Sequence, residues 1–233
     1  MVTTPSSIVY PDSDGKPMAD NTRQFELIVY VKKGIDWLFA DQPQVFVAGD
    51  LLWYPIEGNN KLCQAPDAMI VLGRPKGDRG SYQQWKEDNL PPQVVFEILS
   101  PSNTPSEMTR KFQFYERYGV EEYYVFDPDR ATLEGYLRQG TFLEAIDAMQ
   151  NWISPRLRIR FSTTEDGQLQ LFRPDETPFE TYEQIATRAE QERLRADQER
   201  LRADQAEERI QQAEAEIQRL KEQLRALGQN SED

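Results

Sequence analysis

The stretch Val94-Val95-Phe96-Glu97-Ile98-Leu99-Ser100 decides how this chain is read. It is an apolar run of strand length, rich in β-branched and aromatic residues, and a single carboxylate interrupts it. Taking an ionised carboxylate out of water is costly unless it is paired or bound to a cation, so Glu97 inside such a strand needs a positive partner. The surrounding sequence offers two. One is a divalent cation held jointly with Asp67, which stands where a turn meets the next apolar run, Ala68-Met69-Ile70-Val71-Leu72. The other is Lys111, carried by the helix that follows Glu97.

That helix has a clear beginning. After the loop Ser100-Pro101-Ser102-Asn103, the run Thr104-Pro105-Ser106-Glu107 matches a capping box with proline at the first helical position. Lys111, Tyr115 and Tyr118 then fall at i, i+4 and i+7 and share one face, overlapped by the apolar face of Met108, Phe112 and Tyr115. Lys111 therefore points to the edge of the core where Glu97 lies; a purely structural ion pair between the two is the competing role. Gly119 ends the helix, and 122–127 reads as a strand closed by Asp127-Pro128.

Upstream, Asp20 or Asn21 caps a helix over 22–39, with an apolar face of Phe25, Ile28, Val29, Ile35 and Leu38 and a weak point at Gly34. Glu26 sits beside that face, as a solvated acid or an extra site acid. Strands are expected over 45–48, 51–54 and 68–72, with Gly49-Asp50 in a turn; Asp50 is one more carboxylate near the site. The polar segment 81–89 reads as a short helix or a lid. Downstream, 132–138 and 142–146 form a hairpin through Gln139-Gly140, and 157–161 and 168–172 are later strands that extend the sheet or complete the core.

Pro66-Asp67 before one strand, Glu97 in the next, thirty residues on, and a nearby lysine resemble the PD-(D/E)XK nuclease superfamily. Within it, Pro66-Asp67, Glu97-Ile98-Leu99-Ser100-Pro101, Lys111, Tyr115, Gly119 and 123–128 resemble the Uma2 family (DUF820) of restriction-endonuclease-like proteins, over about residues 20–175. The superfamily lysine normally stands two residues after the glutamate, and here that position is Leu99. The resemblance implies that the helix supplies the lysine instead, as Lys111. It further implies metal-dependent phosphodiester hydrolysis, with Mg²⁺ or Mn²⁺ held by Asp67, Glu97, the Ile98 carbonyl and waters. Lys111 is then the catalytic lysine, and Glu26, Ser100 and Tyr115 are accessory positions. Nucleic acid, DNA in preference to RNA, is the implied partner.

Composition sets limits on this reading. With no histidine and one cysteine, Cys63, the chain has no internal disulfide, no ordinary zinc site and no Ser-His-Asp or Cys-His triad, so any catalysis must use carboxylates, lysine, hydroxyls or a hard metal. No stretch approaches the ~20 apolar residues of a membrane span, and the first residues lack a basic segment followed by an apolar one; a cytoplasmic protein is expected. The net charge of −13 argues against indiscriminate binding to DNA, so a nuclease needs a local basic patch. The best is the loop 73–80, whose Arg74, Lys76 and Arg79 are candidates for contact with a phosphate backbone, or else simply solvated.

From Thr181 the chain changes character. Glu-Arg-Leu-Arg-Ala-Asp-Gln occurs twice, at 192–198 and 199–205, in a stretch without aromatic residues beyond Tyr182. Ala196, Ala203, Ile210, Ile217 and Leu224 recur every seven residues, with Ala206, Ala213, Leu220 and Leu227 three later, which makes one coiled-coil seam. Leu194 and Leu201 lie two positions outside it, so the register is poor before about residue 203. The expected plan is therefore α/β: a flexible arm over 1–20, a nuclease-like domain with a central mixed sheet flanked by helices over 21–180, and a long, coiled helix over 181–233 that pairs with another copy or a partner. The rival is an interaction protein with the same fold, a silent site and the coil as its working part.

Overall fold

The computed structural model describes residues 8–15 and 17–229, the side chains of 226–229 excepted, so residues 1–7 and 16 of the expected arm and the side chain of Leu227 in the expected seam lie outside the described part. The elements run α1 (Thr22–Leu38), β1 (Val45–Ala48), β2 (Trp53–Tyr54), β3 (Ala68–Leu72), β4 (Tyr82–Gln83), β5 (Val94–Ile98), α2 (Pro105–Arg117), β6 (Glu122–Asp127), β7 (Thr132–Gln139), β8 (Phe142–Ala145), β9 (Arg160–Thr163), β10 (Leu169–Phe172) and α3 (Tyr182–Gln229). The chain divides into two compact units, Met1–Glu180 and Thr181–Asp233.

Six strands form a mixed sheet in the order β1-β3-β5-β6-β7-β8. This is the mixed α/β architecture, with helices on the sheet and a long C-terminal helix, that the sequence leads one to expect. All neighbours are antiparallel except β5 and β6, which are parallel because α2 carries the chain back between them. Side chains alternate across the strands and so sort into two cores. On one face Val94, Phe96 and Ile98 of β5, with Ile70, Tyr124 and Phe126, pack against Ile28, Val31 and Ile35 of α1 and against Phe161 and Leu171 of the β9–β10 pair. On the other, Val95, Met69, Tyr123 and Val125 lie with Phe114 and Tyr115 of α2, and with Trp53 and Tyr82 of the small parallel β2–β4 pair. Glu97 follows Val95 by two residues, so it faces α2.

Both helix starts are as the sequence indicates. Asn21 accepts from the Gln24 amide at 2.9 Å, and Thr104 accepts from the Glu107 amide at 3.2 Å with Pro105 next in line. Gly119 follows α2 at φ 93°, and the Val120 amide returns to the Tyr115 carbonyl at 3.1 Å, which closes the helix end.

Four local readings need correction. The segment 51–54 gives only β2, outside the main sheet, because Asp50 takes φ 48° and turns the chain away from β1. The segment 81–89 becomes β4 and a 3₁₀ turn, Gln84–Lys86. Strand β9 begins at Arg160 rather than 157, since Arg158 at φ 60° interrupts extended backbone, although Leu157 and Ile159 are both buried. On α1 the buried stripe is Gln24, Ile28, Val31 and Ile35, while Phe25 is 46 % exposed, one helical step off that stripe. The polar residue and the aromatic one exchange the roles that their hydropathy suggests.

In the first unit, residues from the N-terminal segment lie against β2 and the 3₁₀ turn: the Tyr10 ring is 5.2 Å from Tyr54 and 4.8 Å from Trp85, and Tyr54 donates to the Pro11 carbonyl at 2.8 Å. Gly34, a weak point by helix propensity, is there for space. A Cβ at that position would stand 2.1 Å from Cδ2 of the Phe179 ring, which is itself buried. Alanine in place of a mid-helix glycine normally adds up to about 1 kcal/mol. Here Gly34→Ala is expected to lower the melting temperature instead, and thermal denaturation followed by circular dichroism, with Phe179→Leu as the relieving second change, checks it.

Candidate active site

Strand pairing brings the two acids together. Ala68 pairs with Phe96 across the antiparallel β3–β5 ladder. Continuing that register by one step sets Asp67 opposite Glu97, on the same sheet face, at the ~4.5–5.5 Å Cβ separation of directly opposed residues. Asp67 is fixed by the Ile98 amide, which donates to its Oδ2 at 2.6 Å. Like charges so placed repel, and the sequence that forces them together must neutralise one of them.

Helix α2 supplies the neutralisation. Lys111 Nζ donates to Glu97 Oε2 at 2.7 Å and the Tyr115 hydroxyl donates to Glu97 Oε1 at 2.5 Å, so both oxygens of a carboxylate only 2 % exposed are engaged. The i, i+4 spacing of Lys111 and Tyr115 makes this two-point grip available from one helix face. An aromatic cluster holds the tyrosine: its ring lies parallel to Trp53 at 6.4 Å and 5.1 Å from Tyr123.

The electrostatics follow from burial. Burial, and then the neighbouring Glu97 charge, push the Asp67 carboxyl well above the usual carboxylate range, against the lowering influence of Lys111 and the Ile98 amide. Burial works to lower the pKa of Lys111, but the charges of Glu97 and Asp67 outweigh it and hold the ammonium above its ordinary value. Burial and the Glu97 charge likewise raise the Tyr115 hydroxyl. Lys111 is therefore a fixed cation at neutral pH, while the Asp67 carboxyl is displaced toward its neutral form.

Asp67 and Lys111 open on a cleft of about 290 Å³, also lined by Asp50, Asp20, Gln24 and Glu107. Asp50 has its carboxyl raised by burial and by Asp14, with Lys111 lowering it and Glu97 raising it further, so the turn that carries it also faces the site. Gln24 was not legible as a site residue. Its Nε2 donates to the Ile98 carbonyl at 2.7 Å, while its Oε1 accepts from the Asp20 amide at 2.8 Å. The signal lay in its i, i+4, i+7, i+11 spacing with Ile28, Val31 and Ile35. Ser100 is buried beside this group and donates to Asp20 Oδ2 at 2.5 Å.

The remaining candidates lie elsewhere. Glu26 is exposed on α1 and points to solvent, one helical face away from the position Gln24 occupies. The loop with Arg74, Lys76 and Arg79 leaves the far end of β3, seven residues and about 23 Å of extended chain from Asp67. Its charges are matched within the chain: Arg74 bonds Glu87 at 2.9 Å and also pairs with Asp88, Arg79 bonds Glu87 at 2.7 Å and covers the Phe46 ring, and Lys76 is 3.7 Å from Asp36. This is a clasp between the loop and the Glu87 turn, at the opposite end of the sheet from the carboxylate pair.

The donor set suits a hard cation. All candidate ligands are oxygens, and the Asp67 carboxyl, raised first by burial and then by the Glu97 charge, is of the kind a divalent ion would stabilise in its ionised form. Among the described residues no three Asp, Glu, His or Cys side chains are disposed as a metal-binding group. Mg²⁺ commonly takes one or two carboxylates and completes its shell with water and substrate oxygens, so the pair Asp67 and Glu97 is sufficient for that ion and insufficient for an all-protein calcium cage.

Comparison with known proteins gives a family. The Uma2 family model, described as "Putative restriction endonuclease", matches residues 16–199. One similar solved structure is that of a "putative nuclease belonging to DUF820" from Anabaena variabilis, 17 % identical, covering 63 % of this chain and 81 % of that one with a TM-score of 0.46. No curated protein matches the chain. No helix among the described residues is long and apolar enough to cross a membrane.

The pKa directions fix a stability test. A carboxyl whose folded pKa is raised contributes fully below its unfolded value, near 4, and loses that contribution as pH rises through the folded value. Asp67→Asn, which cannot ionise, is expected to gain stability over the wild type progressively above about pH 4 in metal-free buffer. Lys111→Met leaves Glu97 buried without its cation and should cost ~3–5 kcal/mol. Urea titrations of the three proteins between pH 4 and 8 measure both effects; parallel pH curves for wild type and Asp67→Asn would contradict the assignment.

Proposed function

The chain belongs to the Uma2 family, and on that premise we propose that it hydrolyses phosphodiester bonds of nucleic acid, DNA in preference to RNA, using a divalent cation held by Asp67 and Glu97 and the catalytic lysine Lys111. The observation that carries this reading is the meeting of Asp67, Glu97 and Lys111 from three separate segments of the chain, with Asp67 and Lys111 lining one cleft and Glu97 buried behind them. A cleft with this many acids repels phosphate on its own. A bound Mg²⁺ or Mn²⁺ would reverse the sign of the field there and polarise a phosphoryl oxygen.

The protein's own groups divide the remaining work. Asp67 and Glu97 are the side chains that would hold the ion, with the Ile98 carbonyl, already oriented by Gln24, as a further oxygen. With its pKa raised, Lys111 stays protonated at neutral pH and is unsuited to removing a proton. Its role is electrostatic: it orients the attacking water and offsets the negative charge that grows on the phosphoryl oxygens in the transition state. The Tyr115 hydroxyl, with its pKa also raised, is a positioning group that keeps one Glu97 oxygen directed away from Lys111.

A second reading has an observation in its favour. Both Glu97 oxygens already have donors within the chain, which suits a silent, structural ion pair in a protein that acts through its C-terminal helix. Titration with Mn²⁺ separates the two. Under the catalytic reading, millimolar Mn²⁺ or Mg²⁺ raises the melting temperature of the wild type, Asp67→Asn abolishes that rise and all cleavage of plasmid DNA, and Lys111→Met retains much of the metal response while losing cleavage. No calorimetric heat and no thermal shift at millimolar metal would leave the structural reading standing.

A further inference from the structure

Helix α3 runs unbroken for 48 residues, and its apolar side chains have no cover: Ile210, Ile217, Leu220 and Leu224 are 58, 52, 51 and 69 % exposed. Isolated helices in water leave such a stripe unsatisfied, and their stability ordinarily comes from packing it. The residues flanking the stripe specify what covers it.

We propose that the stripe is covered by a second copy of the same helix, in a parallel, in-register, two-stranded coiled coil over about residues 203–225. Three features of the chain select that partner. Ile210 and Ile217 occupy the a positions and Leu220 a d position, and β-branched a with leucine d favours two parallel strands. Ala206 and Ala213 at the other d positions let the two backbones approach closely. The third feature is charge. In a parallel pair each g residue faces the e residue of the next heptad on the other strand, and from Arg202 to Lys221 each such pair is of opposite sign: Arg202 with Glu207, Arg209 with Glu214 and Glu216 with Lys221. Among the described residues, none of these six forms an ion pair within its own chain.

The antiparallel alternative matches poorly. Packing Ile210 against Leu220 and Ile217 against Ala213 of the other copy sets Glu214 against Glu214 and Glu216 against Glu216, two like-charge contacts beside the symmetry axis, and leaves only the two Glu207–Lys221 contacts of opposite sign. Leu194 and Leu201 fall at outward f positions in this register, so the pairing begins only after the second copy of the seven-residue repeat. A parallel pair joins the two copies with their Thr181 junctions at the same end. On the nuclease reading, to which this clause alone is tied, two active sites then travel on one particle.

Cross-linking of the full chain tests the arrangement without reference to activity. In a Cys63→Ser background, Leu224→Cys is oxidised with a glutathione redox buffer, alone and mixed with Ala206→Cys. A parallel, in-register pair gives a disulfide-linked homodimer of Leu224→Cys. In the antiparallel pair the two 224 positions are about 27 Å apart along the axis, far beyond the ~7 Å Cα limit of a disulfide, and only the 224–206 cross-link forms. Light scattering should give twice the 27.1 kDa chain mass for the unmodified protein. Arg209→Glu should weaken dimerisation, and mixing it with Glu214→Arg should restore it as a heterodimer. A single-chain mass at micromolar concentration, a trimer, or a 224–206 cross-link would each overturn the proposal.

Discussion

The carboxylate of Glu97 is the constraint around which the first unit is arranged. A charge that is 2 % exposed in the central strand of a sheet is tolerable only if its oxygens are met, and the elements on that face of the sheet are placed to meet them. Helix α2 must begin at Thr104 for Lys111 and Tyr115 to fall on the face that overlooks β5. The aromatic packing of Trp53 and Tyr123 must hold the tyrosine ring for its hydroxyl to reach Oε1. The parallel β5–β6 pairing follows from the same crossover, so the one irregularity in sheet polarity and the buried ion pair have a common origin.

Asp67 adds a second acid to this ion pair. Without it, Glu97 and Lys111 would be a neutral couple with no reason to open on a cleft. With it, two acids stand beside one ammonium, and burial together with the Glu97 charge raises the Asp67 carboxyl. Such imbalance is common where a protein leaves room for a cation or a substrate group, and structural ion pairs alone also perturb pKa values. The difference here lies in access: Glu97 is closed off by Lys111 and Tyr115, whereas Asp67 reaches the cleft lined by Asp50 and Asp20. Gln24 and Ser100 add a polar floor that keeps the Ile98 carbonyl and the following loop in place.

The acidic character of the chain has a related explanation. Its most basic loop is paired with Glu87 and Asp88 at the opposite end of β3 from the carboxylate pair, so positive charge in that region ties the loop to a turn of the same chain. Much of the remaining charge lies on α3, where opposite signs alternate around an apolar stripe.

The sequence by itself determined the main elements: the capping residues Asn21 and Thr104, the glycine stop at 119, the apolar strands and the seven-residue repeat are local signals, each carried by a few neighbouring residues. It also singled out Asp67, Glu97 and Lys111, because a lone acid in an apolar strand is an anomaly that demands a partner, and the resemblance to Uma2 proteins named the candidates. Tertiary structure alone decided which side chain each element turns toward the site. Gln24 took the inward position on α1 and left Glu26 and Phe25 in solvent, because helix phase against the sheet is set by packing over the whole stripe and not by the hydropathy of one residue. Gly34 proved to be space for Phe179, a contact between residues far apart in sequence that no local pattern encodes. The ion pairs of Arg74 and Arg79 with Glu87 were not legible either, because they depend on how the loop and the following turn fold against each other.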